Sequence, residues 1–313
     1  MLSSAVKTFS EPDEYAAAIR QGTHQFTVMQ RGIFRAKLSR IDMHHLWMQR
    51  FSEDLARTSN VDGWGGRAVI AFGTGPGPSL TRNATELNES SISWFRPGQS
   101  YYQRSSGPAT YGTMSLSLED LAVLGPAILG RALKIPSSAS VVTPSPVAMT
   151  RLQGLHAAAA VLAEEAPTIL VHPDASRGLE QSLIEAMIKS LDDGEYQQDR
   201  TALRQHALIM RRFHQVIDQH GDQPLYLPEL CAKVGAAERT LRACCQEHLG
   251  TSPKRFLLLR RMHLFRQALR ESTPATATVT EIATRFGFWQ FGRLAGEYRG
   301  LFGETPSETL ARR

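Results

Sequence analysis

Two stretches near the C-terminal end repeat one hydrophobic design. Leu227 to Gly250 runs LPELCAKVGAAERTLRACCQEHLG, and Val279 to Gly303 runs VTEIATRFGFWQFGRLAGEYRGLFG. In each, apolar residues recur at helical spacing over a short segment, a glycine follows (Gly235, Gly287), and a longer helical segment opens with arginine near its start. The pattern predicts helices over about 228–234, 237–249, 280–286 and 289–302. The same period continues around the repeats. Leu203, Ala207, Met210, Phe213 and Ile217 share one face of a predicted helix over 202–219. Ser252-Pro253 opens a long helix to about Ser272, and Pro306 opens a short last one.

Residues 1–115 follow another rhythm. QFTVMQ, GIFRAKLSRI, HHLWMQRF, GRAVIAFGT, ISWFRP and YGTMSLS are short, rich in β-branched and aromatic residues, and partly alternating. Turn-forming clusters such as GTGPGPS (73–79) and RPGQS (96–100) separate them. Regular short strands with such punctuation predict an antiparallel sandwich or barrel. A short helix is expected over Pro12–Gln21, and Ser117 is placed to cap one through about Leu124. SSASVVTPSPVA (137–148) reads as a loop, and helical periodicity returns over Ala148–Ala166 and Ser176–Leu191. The polar DDGEYQQDR (192–200) reads as a connector. The expected division is residues 1–191, a linker at 192–202, and a helical unit over 203–313.

Charge sharpens that division. Residues 204–313 carry 17 basic and 10 acidic side chains, a net +7, whereas residues 1–203 carry 18 and 20, a net −2. A basic excess confined to one unit is the footprint expected for a phosphate backbone. The three cysteines, Cys231, Cys244 and Cys245, have no ligand spacing and are expected as small apolar core residues, with no metal site. No apolar leader opens the chain and no apolar run approaches the ~18 residues of a membrane span, so a cytoplasmic protein is expected.

A short helix, a glycine turn and a second helix form a helix-turn-helix, whose second helix enters the major groove of DNA. Two in tandem on a basic segment indicate a DNA-binding regulator rather than an enzyme, with no catalytic residues and no cofactor. The order of RTL after the first turn, LGTSPKRFLLLRRM, TEIATRFGF and YRGLFGETPSETL resembles the DNA-binding domain of the AraC/XylS family of bacterial transcription regulators. The final stretches are most similar to the ethanolamine-operon regulators within it. The resemblance covers about a hundred residues. It implies promoter DNA as partner and recruitment of RNA polymerase, with an N-terminal domain that senses a small-molecule effector or forms a homodimer through residues 150–191.

It also places the reading positions. In the first unit these are Arg239, Thr240 and Arg242, the arginines suited to guanine O6/N7 or to phosphate. In the second they are Gln290, Phe291, Gly292 and Arg293. Gln290 suits adenine or a phosphate, Arg293 suits guanine, and Phe291 either touches a thymine methyl or packs internally. Lys254, Arg260 and Arg261 are backbone contacts or solvated charges. The chain departs from the family where Ala243, Cys244 and Cys245 replace an Arg-x-Phe pattern, and where Gly296 stands at a commonly polar position. Leu230, Val234, Leu241, Ile282, Ala283, Leu294, Tyr298 and Phe302 fit core positions.

GIFRAKLSRI, LWMQRFSE, GQSYYQRSSGPATYGTMSL and LEDLA resemble the cupin-like sensor domain of the same family. The expected fold is therefore α+β, a cupin-like antiparallel β-barrel with helices followed by an all-α tandem helix-turn-helix domain. Trp47, Trp64, Trp94, Phe95, Tyr101 and Tyr102 are either walls of an effector cavity or core. His44 and His45, read as strand neighbours, are expected to face opposite sides, which disfavours a shared metal site.

Overall fold

The computed structural model describes residues 3–20, 22–63, 65–75, 80–95, 97–98, 100–133, 139–198, 201–221, 223 and 225–312. Trp64, residues 76–79 of the glycine-proline cluster and residues 199–200 of the expected connector lie outside them. The chain runs β1 (Ser3–Phe9), α1 (Pro12–Ala18), β2 (Gly22–Val28), β3 (Ala36–Asp42), β4 (Trp47–Glu53), β5 (Arg57–Gly63) and β6 (Arg67–Gly73). It continues with β7 (Leu80–Arg82), β8 (Thr85–Leu87), β9 (Ile92–Phe95), β10 (Tyr101–Ser105) and β11 (Ala109–Ser117). Then come α2 (Leu118–Leu129), β12 (Ala139–Thr143), α3 (Pro146–Glu165), α4 (Pro167–Val171), α5 (Pro173–Asp192) and β13 (Glu195–Gln198).

The strands form two antiparallel sheets. One has eight strands in the order β1-β3-β4-β11-β6-β9-β12-β13, the other five in the order β2-β5-β10-β7-β8. Among the described residues no ladder joins them, which corrects the expected closed barrel. Alternation along the shared strands builds a core on each face of the large sheet. Leu38, Phe51 and Tyr111 point toward the small sheet and meet Tyr15, Phe26 and Leu80. Their alternates Ile41, Met48 and Met114 point the other way and pack under Leu152, Leu183 and Met187 of α3 and α5.

Several elements differ from the expectation, and β1, β5, β7, β8 and β10 fall outside the expected strand segments. The stretch 137–148, read as a loop from its Ser and Pro, holds β12 and the start of α3, with Ser145 capping the Ala148 N–H and Pro146 in the first turn. Pro cannot donate to a helix or ladder, but the first helical turn asks no donor of it. The polar connector contains β13, which pairs with β12. His44 and His45 lie in the β3–β4 turn, so strand alternation does not apply, and their rings meet edge-on at 4.3 Å.

The helical unit comprises α6 (Thr201–Gln219), α7 (Leu227–Val234), α8 (Glu238–Leu249), α9 (Pro253–Glu271), α10 (Val279–Arg285), α11 (Phe291–Phe302) and α12 (Pro306–Ala311). Two cores flank α9. Met210, Phe213, Leu230, Val234, Leu241 and Cys245 surround its first turns, and Phe265, Ile282, Leu294, Tyr298 and Leu310 its last. Gly235 and Gly287 sit in the left-handed region at φ 71 and 70, where a side chain costs about 1–2 kcal/mol. That conformation turns the chain sharply between the two helices of each pair.

The helical unit docks on the small sheet and α1. Tyr102 of β10 stacks on His214 of α6, and His263 Nε2 lies 3.2 Å from the Val28 carbonyl. The Gly32 amide donates to the Leu301 carbonyl at 3.1 Å. Arg266 of α9 pairs with both Glu11 and Glu304, and Arg270 pairs with Glu11 and Glu14.

Candidate nucleic-acid interface

Burial decides which face of α8 and α11 is available. Along α8, Leu241, Cys244, Cys245, His248 and Leu249 are buried, which leaves Arg239, Arg242 and Ala243 on the opposite, exposed face and Thr240 half-buried at its edge. Along α11, Leu294, Tyr298 and Leu301 are buried, and Gln290, Phe291, Gly292 and Arg293 at its start are exposed. Phe291 is 40 % exposed, so its ring is only partly covered.

The exposed arginines are held by their own helices. Arg242 Nε donates to Glu238 at 2.8 Å, and Arg293 Nε to Glu297 at 2.8 Å, each one helical turn apart. Exposed pairs of this kind contribute about 0.3–0.5 kcal/mol, so exchanging the carboxylate for a guanine edge or a phosphate costs little.

Two adjoining hollows lie between the two helices. Arg242 of α8 lines one together with Tyr226 and Leu227 at the start of α7. Gln290 and Arg293 line the other. The structure thus sets Arg242 on one of two adjoining hollows and Gln290 and Arg293 on the other, with Lys254 and Arg261 of α9 and Trp289 shared. Arg239, Thr240, Phe291 and Gly292 line neither. Arg260, weighed as a backbone contact or a solvated charge, is instead tied to Asp218 at 3.0 Å and to the Gly221 carbonyl at 2.9 Å. Arg261 lies over the Phe288 ring at 4.6 Å, and burial lowers its guanidinium pKa.

Sequence reasoning missed two residues here. Trp289 is 73 % exposed and Tyr226 69 % exposed, and both line the hollow that holds Arg242. Trp289 was expected as the first residue of a helix that in fact begins at Phe291. The available signal was a large aromatic just before α7 in one unit and before α11 in the other, outside the apolar positions that packing requires.

The span of α9 sets the scale of the surface. Its 19 residues extend about 28 Å, near the ~34 Å repeat of the major groove. Ser252 caps its start by accepting from the Arg255 amide, and Pro253 fills its first turn, so the spacer is a continuous helix.

Residues 230–312, from α7 to α12, match a family described as "Helix-turn-helix domain". The chain is 42% identical over 102 residues to a Rhodococcus erythropolis protein named "Probable thc operon regulatory protein", covering 33% of this chain and 31% of that one. It is 35% identical over 102 residues to "XylDLEGF operon transcriptional activator 3" of Pseudomonas putida, again covering 33% and 31%. This segment is an AraC-family helix-turn-helix domain. A solved structure described as a probable AraC family transcriptional regulator from Rhodopseudomonas palustris CGA009 is 33% identical, with 33% of this chain and 94% of that one covered and a TM-score of 0.30. The chain spans about a third of the length of the two curated relatives.

Within the AraC-family domain, the departures from the family pattern have structural counterparts. Cys244 and Cys245 are both fully buried, and burial pushes their thiols up to about 11 and about 12. Both act as small apolar side chains, and Cys245 does so at the position of the pattern's aromatic. Ala243 sits exposed without a charge, and a Cβ at Gly296 would meet open space.

Proposed function

We propose that this protein is a sequence-specific DNA-binding transcription regulator that reads two successive major grooves with α8 and α11. The observation that carries this reading is a pair of adjoining concavities, one lined by Arg242 and the other by Arg293, that share Lys254 and Arg261 of the continuous helix α9. Arg239, Arg242 and Arg293 then meet guanine O6/N7 or phosphate, Gln290 meets adenine or phosphate, and Thr240, Phe291 and Gly292 lie close to the groove floor. Lys254 and Arg261 neutralise the phosphates that bridge the two grooves.

Residues 1–191 then form the controlling unit, which holds a small-molecule effector, and residues 192–202 join it to the reading unit. A homodimer through α3 and α5, recruitment of RNA polymerase, and a cytoplasmic, non-enzymatic role complete the proposal. The exposed Val161 on α3 and the neighbouring Ile169 and Val171 on α4 support a contact face there. Among the described residues no helix is long and apolar enough to cross a membrane. Within the family, the GFW and YRGLFGETPSETL stretches support a place near the ethanolamine-operon regulators.

The test is selection of bound sites from random duplex DNA by the full-length protein. Two enriched elements about one helical turn apart are expected. Absence of any enriched element, with and without residues 1–202, would contradict the reading.

A further inference from the structure

The space between the two sheets holds two buried arginines, and only one is balanced. Arg57 is fully buried and donates from Nε and Nη2 to Glu53 at 2.8 and 3.1 Å, from Nη2 to Tyr111 Oη at 2.9 Å and from Nη1 to Ser59 at 3.2 Å. Its charge is paired, and each of its three nitrogens has a partner.

Arg82, on β7, is 4 % exposed and has a different environment. Pairing of β7 with β10 sets it opposite Gln103, and its Nη2 donates to Gln103 Oε1 at 3.0 Å. Among the described residues its Nε and Nη1 have no hydrogen-bond partner, and neither does Gln103 Nε2. No ion pair to Asp or Glu reaches it among the described residues. The stacked rings of Phe95 and Tyr101 lie at 4.5 and 5.0 Å from the guanidinium carbon. Those faces stabilise the cation without using its N–H groups. Burial pushes the guanidinium down to about 10, so it stays charged at neutral pH. A buried ion with unanswered donors is among the most costly groups a fold can hold.

Both side chains line a cavity of about 20 Å³, room for a group of a few atoms. His24, Thr113, Arg20 and Arg67 share its wall, and among the described residues no Asp or Glu does. Burial, with Arg57 and Arg82 nearby, holds His24 neutral down to about 3. The wall is therefore rich in donors, positive, and closed to cations.

We propose that Arg82 and Gln103 form a binding site for a compact planar monoanion, a carboxylate or an oxyanion of that shape. The one guanidinium buried in the cavity without a carboxylate partner selects one negative charge. The planar guanidinium and the Gln103 amide present donors that match oxygens set around a single centre. The charge-neutral amide of the same shape lacks the attraction and presents an N–H group to donors. The site lies in the unit assigned above to effector control, and its regulatory role rests on that reading; the binding does not.

The experiment is thermal melting of the full-length protein in chloride-free buffer with acetate, nitrate or acetamide. A saturable rise in Tm with acetate or nitrate, and none with acetamide, is expected. A response to acetate alone assigns the carboxylate of an organic acid, and a response to nitrate as well assigns any planar oxyanion. Arg82→Gln is expected to abolish the rise. Gln103→Leu, which leaves Arg82 in place, is expected to weaken apparent affinity about tenfold, the loss of one hydrogen bond to a charged ligand. No saturable rise with either anion, or an equal rise in both variants, would overturn the site. Anion binding that leaves affinity for selected DNA unchanged would keep the site and overturn its role in control.

Discussion

The ring of Tyr102, on β10 of the small sheet, stacks on the imidazole of His214, on α6, with centroids 4.7 Å apart. His248 of α8 meets the same tyrosine edge-on at 6.1 Å. The two histidines tie the start of the helical unit to the sheet, and burial is the main cause that holds His214 near 3 and His248 near 4 against an ordinary 6.5. Because their folded pKa values are depressed, the unfolded chain takes up protons first. Their contribution is complete above about pH 6.5 and is lost as pH falls toward 4 and then 3. Thermal melts from pH 7.5 to 4.5 should show a falling Tm, and His214→Phe should reduce the slope by about one proton. An unchanged slope in the variant would contradict the linkage.

Arg266 makes a second tie, between α9 and two carboxylates from opposite ends of the chain, Glu11 and Glu304. All three side chains are largely buried. Removing the cation leaves Glu11 and Glu304 with only the more exposed Arg270 and Arg312, so Arg266→Ala should destabilise the protein by about 3 kcal/mol in urea denaturation. Arg270, more exposed, should cost under about 1 kcal/mol as alanine. Equal losses for the two would show that Arg266 is not the tie.

Leu230 and Arg242 separate folding from reading. Leu230 is fully buried beside Val234 and Leu241, and Leu230→Ala should cost about 2–5 kcal/mol of stability. Arg242 is exposed and tied only to Glu238 within the described contacts, so Arg242→Ala should move stability by less than about 0.5 kcal/mol. Its affinity for selected duplex DNA should nevertheless fall about tenfold or more. Melting curves and fluorescence anisotropy on the same preparations give both quantities. Unaltered DNA affinity in Arg242→Ala would remove this residue from the interface.

Gly296 lies in the middle of α11 with nothing within 4 Å of where a Cβ would stand. Gly296→Ala should therefore stabilise the protein by up to about 1 kcal/mol and leave DNA affinity unchanged. The reverse holds for Gly112 in β11, where a Cβ would lie 2.5 Å from the His156 ring. Alanine there should destabilise, and a rise in Tm would mean that the β11–α3 contact is looser than described.

The helical unit was largely legible because its signals are local. Leu230, Val234, Leu241 and Tyr298 repeat at helical spacing, and Gly235, Gly250 and Gly303 mark turns that only a left-handed residue closes easily. The sheets were less so. β5 reads RTSNVDG and offers no apolar alternation, yet Thr58, Ser59 and Asn60 are buried between β2, β10 and the docked helices. Polar residues buried on both faces leave no periodic trace. Within the candidate interface, Arg242 and Arg293 were placed by the resemblance to the family pattern, and both lie exposed at the expected helix positions. Trp289 and Tyr226 were not, because their exposure depends on how α7, α9 and α10 pack in space. The Arg57–Glu53–Tyr111 network and the unbalanced Arg82 join residues from distant strands, and no local pattern distinguishes a buried arginine from a solvated one.

The central claim is that α8 and α11 enter two successive major grooves from one face of the duplex. Guanine N7 lies in the major groove, so methylation interference on the selected site tests it directly. Two clusters of interfering guanines about 10 base pairs apart on one face are predicted, one lost in Arg242→Ala and the other in Arg293→Ala. A single cluster, or two clusters that neither substitution alters, would contradict the account.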